Sequence, residues 1–226
     1  PDMARSYLPS SAGPALLLIH GFGANSYSWR AVRPELARTH HVIAVDLKGF
    51  GRSDKPLDDE YSALDQARLL VQLLDRRGIR EVSIAGHSFG GGVALSLALE
   101  LNRKYPGRLK KLILSSTWTH CDAFFTRLFE ARHALLRHTG PVGYLRATSA
   151  VLYPPWWMAQ NETLVAEQER QQAAGFPPVE VVLSRIEAIM RFDRRRDLAA
   201  IGVPTLVSVA ADDNERLRPK VASNDG

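Results

Sequence analysis

The sequence has 226 residues, of which 45% are hydrophobic and 23% charged, and its formal net charge is +5. This length suits one α/β domain with an inserted subdomain and can bury a substantial core. No apolar run approaches the roughly 20 residues of a membrane span, and no basic and apolar leader is visible in the residues from Pro1 onward. No nucleic-acid motif accompanies the arginines, so we expect a cytoplasmic protein without membrane or nucleic-acid partners.

The first half of the chain alternates between strand and helix patterns. After a turn-rich stretch over residues 1–13, the continuous apolar run Ala15–Ile19 is typical of a parallel strand covered on both faces. The patterns that follow predict a helix over Ser28–Arg38, a strand over Val42–Asp46 and an amphipathic helix over Tyr61–Arg77. This alternation favours a mainly parallel sheet flanked by helices, with catalytic groups at the carboxyl ends of its strands.

A serine turn lies at the centre of the sequence. The apolar residues Val82–Ala85 predict a buried strand, Gly86-His87-Ser88-Phe89-Gly90 follows, and an apolar helical face runs from Val93 to Leu101. A strand, a GxSxG turn and a helix in this order make a nucleophile elbow, in which the serine is held in a strained turn. Glycine is needed at Gly86 and Gly90 because side chains there would collide with the neighbouring strand and helix.

The alternation of strand and helix patterns ends after the next predicted strand, Lys111–Ser115. Residues 117–200 predict a helical cap that contains an aromatic turn at Pro154–Met158, and residues 201–226 return to the core with a buried strand over Val203–Val209. The core therefore comprises residues 1–116 and 201–226. The only cysteine, Cys121, excludes an intrachain disulfide, and outside any elbow it is interpreted as a structural thiol.

Three motifs, taken together, resemble the α/β-hydrolase fold superfamily. They are His20-Gly21-Phe22-Gly23, the stretch Asp46–Asp54, and the serine turn around Ser88. The cap segments 151–154 and 157–159 resemble those of the aminoacrylate hydrolases of pyrimidine breakdown and of enol-lactonase-like relatives. The resemblance implies an α/β fold with a mainly parallel sheet, a helical cap insertion and a serine nucleophile. Haloalkane dehalogenases and epoxide hydrolases of this fold use an aspartate instead, whereas C–C bond hydrolases share the serine.

The resemblance also implies roles for individual residues. Ser88 would be the nucleophile, and the backbone N–H groups of Phe22 and Phe89 would form the oxyanion hole. Asp213 would be the triad acid, with Asp212 as a close alternative, and no metal or cofactor is expected. The expected substrate pocket is lined by His20, Gly21, Gly23, His87, Trp156 and Trp157.

The triad histidine is the component that the sequence does not supply. In this superfamily it follows the acid, but all seven histidines precede Asp213. Either the chain is a C-terminally incomplete fragment of a Ser-His-Asp hydrolase, or it is a natural variant that binds small molecules without turnover. A missing final strand would leave a sheet edge uncovered, which favours poor solubility or a homodimer.

We therefore expect a serine hydrolase of a small ester, lactone, thioester or amide-like carbonyl. Its mechanism would pass through an acyl-enzyme. The alternatives are a catalytically inactive binding or scaffold module and a C–C bond hydrolase.

Overall fold

The computed structural model describes residues 5–6 and 13–209. Six strands form one sheet: β1 Arg5–Ser6, β2 Ala15–Ile19, β3 His41–Val45, β4 Val82–His87, β5 Leu109–Ser115 and β6 Thr205–Ser208. The helices are α1 Arg33–Leu36, α2 Ala63–Arg76, α3 Phe89–Lys104, α4 Ala123–Leu152, α5 Pro155–Gln160, α6 Glu162–Ala174 and α7 Val179–Met190. Two 3-10 helices cover Ser26–Trp29 and Arg195–Ala200.

The sheet is mainly parallel, as the alternation of elements predicts. Its strand order is β1-β3-β2-β4-β5-β6, and only β1 runs antiparallel to its neighbour. In this order β2 and β4 are adjacent, and Ile19 pairs with Gly86 at their carboxyl ends. The loop after β2 and the serine turn after β4 therefore leave the sheet side by side, which is the arrangement that an active site at this edge requires.

The main hydrophobic core lies between the sheet and the helices α2 and α3. Leu17, Ile84, Leu74 and Leu97 are fully buried in it, and the buried face of α3 also includes all three glycines at its start. Helix α2 begins at Ala63 because the Ser62 side chain accepts the backbone N–H of Asp65, whose carboxylate accepts the N–H of Ser62. Close contact of α3 with the sheet fixes the position of its first turn.

The helices from α4 to α7 follow β5, where the cap is expected. Helix α4 is interrupted at Gly140, whose φ of 69° and ψ of −171° are non-helical, and Pro141 follows. Buried residues of α4 and α7, among them Phe129, Leu136 and Ile186, belong to the main hydrophobic cluster. Within residues 5–6 and 13–209, no helix combines the length and the apolar character that a bilayer span needs.

Several expected elements differ from the structure. The helix expected over Ser28–Arg38 is a 3-10 turn followed by the short α1, because Pro34 lacks the N–H that would continue a helix from the preceding turn. The aromatic stretch at Pro154–Met158 forms most of the short helix α5, which starts with proline at its first position. Strand β6 was expected to be buried but is exposed, because within the described residues it pairs with β5 alone.

Candidate active site

The serine turn has the backbone geometry of a nucleophile elbow. Strand β4 ends at His87, helix α3 begins at Phe89, and Ser88 between them has φ 52° and ψ −127°. Its N–H donates to the carbonyl of Ser115 at 3.0 Å, while its own carbonyl accepts from Gly91 N at 2.8 Å and from Thr117 Oγ1 at 2.7 Å. These three hydrogen bonds hold a conformation that side-chain-bearing residues rarely adopt.

The glycines on both sides of Ser88 are needed for contact between backbones. A Cβ atom at Gly86 would lie 2.3 Å from the carbonyl oxygen of Gly90. One at Gly90 would lie 2.3 Å from the carbonyl oxygen of His20 and 2.4 Å from that of Ile19. Only glycine therefore lets α3 start against the ends of β2 and β4, as the sequence predicts.

The loop after β2 passes directly beside the serine. A Cβ at Gly21 would lie 3.1 Å from Ser88 Cβ and 3.3 Å from His87 Nδ1. The rings of Phe22 and Phe89 are also neighbours, with centroids 6.3 Å apart. The structure thus brings Gly21, Phe22, His87, Ser88 and Phe89 together, while the oxyanion-hole role of the two phenylalanine N–H groups stays a prediction.

His20 supports this loop through hydrogen bonds of its buried ring. The side chain is fully buried, its Nε2 accepts the N–H of Leu47 at 3.1 Å, and the tautomer this requires donates Nδ1–H to the carbonyl of Gly21 at 2.8 Å. Burial lowers the pKa of the imidazole to about 4, so it is neutral at neutral pH. The ring is thus committed to two backbone groups, and a role of His20 in the substrate pocket stays a prediction.

Asp46 fixes the loop that follows β3. Its carboxylate accepts the backbone N–H groups of Ser26 at 2.7 Å and Arg52 at 2.9 Å. Burial favours the neutral acid, but these hydrogen bonds outweigh it and hold the pKa below its ordinary value. A Cβ at Gly51, where φ is 49°, would lie 2.3 Å from Asp46 Oδ2, so this turn also requires glycine.

A cavity of about 1000 Å³ lies between these loops and the helices α4, α6 and α7. Phe22, Gly23 and Phe50 line its inner wall, and cap residues such as Tyr144 and Gln171 line the opposite side. Gly23 is the one expected pocket residue in this wall. Gly21 and His87 lie beside Ser88 and not in the lining of this cavity. The two tryptophans do not line the cavity either, because Trp156 is 64% exposed and Trp157 stacks on Tyr153 with ring centroids 4.7 Å apart.

Two buried arginines in this cavity are not among the site residues predicted from the sequence. Arg132 of α4 is 9% exposed and Arg185 of α7 is 3% exposed, and their guanidinium carbons lie 5.3 and 5.4 Å from the ring centroid of Phe22. A signal was present, because each occurs on an otherwise apolar helical face, between Phe129 and Leu136 and between Val182 and Ile189.

The two candidates for the triad acid lie outside the described part of the chain, and Cys121 is unsuitable as an alternative nucleophile. Asp213 and Asp212 fall in residues 210–226, so the triad acid stays a prediction. Cys121 is half-buried, and burial raises the pKa of its thiol, which disfavours the reactive thiolate.

The described residues form a mainly parallel sheet with a strained serine turn between strand β4 and helix α3. The model of the family described as "alpha/beta hydrolase fold" matches residues 14–215. The chain belongs to the α/β-hydrolase fold family and is an enzyme of the hydrolase class. The resemblance drawn from the three sequence motifs is confirmed.

Among its relatives, a protein of Azorhizobium caulinodans named "Putative carbamate hydrolase RutD" is 39% identical over 212 residues, which is 94% of this chain and 78% of that protein. The structure of a thermophilic esterase from Thermogutta terrifontis is 28% identical, with a TM-score of 0.72 over 92% of this chain and 74% of that one. The enol-lactonase from Burkholderia xenovorans LB400 shares the fold at a TM-score of 0.75 and 20% identity, over 91% and 76% of the two chains.

Proposed function

We propose that the chain is of the serine-hydrolase type and acts on a small carbonyl substrate through an acyl-enzyme. Ser88 Oγ would attack the carbonyl carbon, the tetrahedral intermediate would expel its alcohol or amine, and water would then release the acyl group. The observation that carries the proposal is the conformation of Ser88, with φ at 52° between β4 and α3. A strained serine at the carboxyl edge of the sheet is how this fold presents a nucleophile.

The approach of the β2 loop supports the second component, an oxyanion hole. A Cβ at Gly21 would lie 3.1 Å from Ser88 Cβ, so the backbone N–H of the next residue, Phe22, would lie near the N–H of Phe89 at the start of α3. Removing one such donor costs about 3 to 4 kcal/mol of transition-state stabilisation in known hydrolases. His20 would keep the loop in place by holding the Gly21 carbonyl.

The proposed substrate class includes carbamates beside esters, lactones, thioesters and amides. The name of the Azorhizobium relative supports this choice, since it is a carbamate hydrolase by that name. In both esters and carbamates a carbonyl carbon is attacked and an alcohol or amine leaves, so one nucleophile and one oxyanion hole serve either substrate.

A binding or scaffold module with an unreactive Ser88 is the second candidate. It would apply if none of the seven histidines of the printed sequence serves Ser88 as a base. A serine hydroxyl without a base is a weak nucleophile, and loss of one triad member lowers the rate by several powers of ten.

Hydrolysis of p-nitrophenyl acetate by the 226-residue chain separates the two candidates. The variants to compare are Ser88→Ala and, as a matched control, Ser96→Ala. Ser96 is a buried serine of α3 whose hydroxyl has no hydrogen-bond partner among the residues that the structure describes, so its loss is expected to be nearly neutral. We expect the wild type and Ser96→Ala to exceed Ser88→Ala. Equal rates for all three proteins would contradict a competent nucleophile and support the binding module.

A further inference from the structure

Two serines at the ends of neighbouring strands have backbone dihedrals that side-chain-bearing residues rarely adopt. Among the non-glycine residues that the structure describes, only Ser88 and Ser116 have a positive φ, at 52° and 43°. The strand register ends at His87, Ser115 and Ser208, which are aligned across β4, β5 and β6. Each strained serine is therefore the first residue beyond its strand, and the two turns lie side by side. Such conformations persist only where the surrounding structure holds them.

Hydrogen bonds connect the two turns to each other and to β6. The N–H of Ser88 donates to the carbonyl of Ser115 at 3.0 Å. The N–H of Ser116 donates to the carbonyl of Ser208 at 2.7 Å, which fixes the second turn against β6. Directly after this turn, the hydroxyl of Thr117 donates to the carbonyl of Ser88 at 2.7 Å. The strained turn at Ser116 thus places a hydrogen-bond donor against the backbone of the proposed nucleophile.

Thr117 also contacts the first turn of helix α3. A Cβ atom at Gly91 would lie 2.4 Å from both Cβ and Oγ1 of Thr117, so glycine at this position lets the threonine approach the elbow. The N–H of Gly91 donates to the same Ser88 carbonyl at 2.8 Å. The carbonyl of Ser88 therefore accepts one hydrogen bond from within the elbow and one from the segment after β5. Only the second comes from a side chain, so a substitution can remove it without changing the backbone of the elbow.

The segments that join helices α4 to α7 to the sheet lie against the same turn of α3. Residues 117–121 lead into α4 and residues 192–194 follow α7, and the two segments are paired by backbone hydrogen bonds of 2.7 and 3.1 Å. A Cβ at Gly92 would lie 3.1 Å from Cζ of Phe192, so the second segment also reaches α3. A shift of these helices relative to the sheet would therefore reach the elbow through Thr117.

We infer that Thr117 is a positioning residue for Ser88, through which the segments 117–121 and 192–194 hold the nucleophile in its strained conformation. This inference rests on the proposed function, because it names how that same nucleophile is held. The hydroxyl proton of Thr117 is committed to the Ser88 carbonyl, so its effect on the reaction passes through the backbone of Ser88. A nucleophile displaced from its reactive geometry loses rate even when every reacting group is present.

The rate at which a fluorophosphonate labels Ser88 tests this role. Thr117→Val removes the donor and keeps the β-branched shape, whereas Thr117→Ser keeps the donor. We expect Thr117→Val to lower the second-order rate constant of labelling about tenfold, and Thr117→Ser to restore it. Thr139→Val is the matched control, because the Thr139 hydroxyl also donates to a backbone carbonyl at 2.7 Å, that of Leu135, at an exposed position of α4. Labelling of Thr117→Val at the wild-type rate would overturn the inference.

The strain at position 88 gives a second readout that does not require a reactive serine. With Thr117 in place, Ser88→Gly should exceed Ser88→Ala about fivefold in the folding equilibrium constant, because glycine relieves the strain. In the Thr117→Val background the elbow can relax, and we expect this advantage to fall below about twofold in guanidinium chloride unfolding. An advantage that is unchanged by Thr117→Val, or absent beside Thr117, would overturn the inference. A wild-type chain that is not labelled would overturn the proposed function, and the glycine measurement would still decide whether Thr117 holds the elbow.

Discussion

The strain at Ser88 is measurable as a difference between two variants that both remove the hydroxyl. Ser88→Ala keeps a Cβ atom at φ 52° and ψ −127°, whereas Ser88→Gly removes it. A residue held in such a region costs about 1 to 3 kcal/mol, and glycine loses about 0.5 to 1 kcal/mol through its greater freedom in the unfolded chain. The balance predicts that Ser88→Gly is more stable than Ser88→Ala by about 1 kcal/mol.

Guanidinium chloride unfolding followed by circular dichroism measures this difference. The matched pair Ser96→Gly and Ser96→Ala lies within helix α3, where the order should reverse, because glycine in a helix is about 1 kcal/mol less favourable than alanine. A Ser88→Ala protein as stable as Ser88→Gly, or more stable, would refute the strain and with it the reasoning that identifies the elbow.

Three further predictions concern the parts that support the elbow. Gly90→Ala should destabilise by about 3 kcal/mol or more, because its Cβ meets backbone carbonyls, whereas Gly202→Ala, with open space around it, should change the unfolding free energy little. Between pH 6.5 and 4 the wild type should lose about 3 kcal/mol of stability relative to His20→Gln. The reason is that the pKa of His20 is about 4 in the folded protein but 6.5 in the unfolded chain, so the unfolded chain binds the proton first as the pH falls. Parallel curves of stability against pH for the two proteins would contradict this. Gln66→Leu should cost about 2 to 4 kcal/mol in the same unfolding assay, because the buried amide accepts Lys48 N–H and donates to the Lys48 carbonyl, and an unchanged midpoint would contradict that role.

The elbow could be predicted from the sequence because its requirements are local. An apolar strand, two glycines that permit close backbone contact, and an apolar helical face lie within 20 residues of one another, and the structure has all three. Strand β2 and the mainly parallel character of the sheet could be predicted from similarly short patterns.

The pocket could not be predicted in the same way because it depends on tertiary packing. The resemblance of the cap to that of relatives implies Trp156 as a wall of the pocket, but the short helix α5 leaves it exposed. The sequence pattern assigns no role to Arg132 and Arg185, and only the packing of α4 and α7 over Phe22 buries them. Burial of a charge is decided by the elements that surround it, and those are distant in sequence.

The most direct test of the proposed mechanism is covalent labelling of the chain with a fluorophosphonate, followed by mass spectrometry of its peptides. Fluorophosphonates react with activated serines, so we expect one adduct, on Ser88, that is absent from Ser88→Ala and retained in Ser96→Ala. An unlabelled wild-type chain, or an adduct on another residue, would contradict the claim that Ser88 is a competent nucleophile.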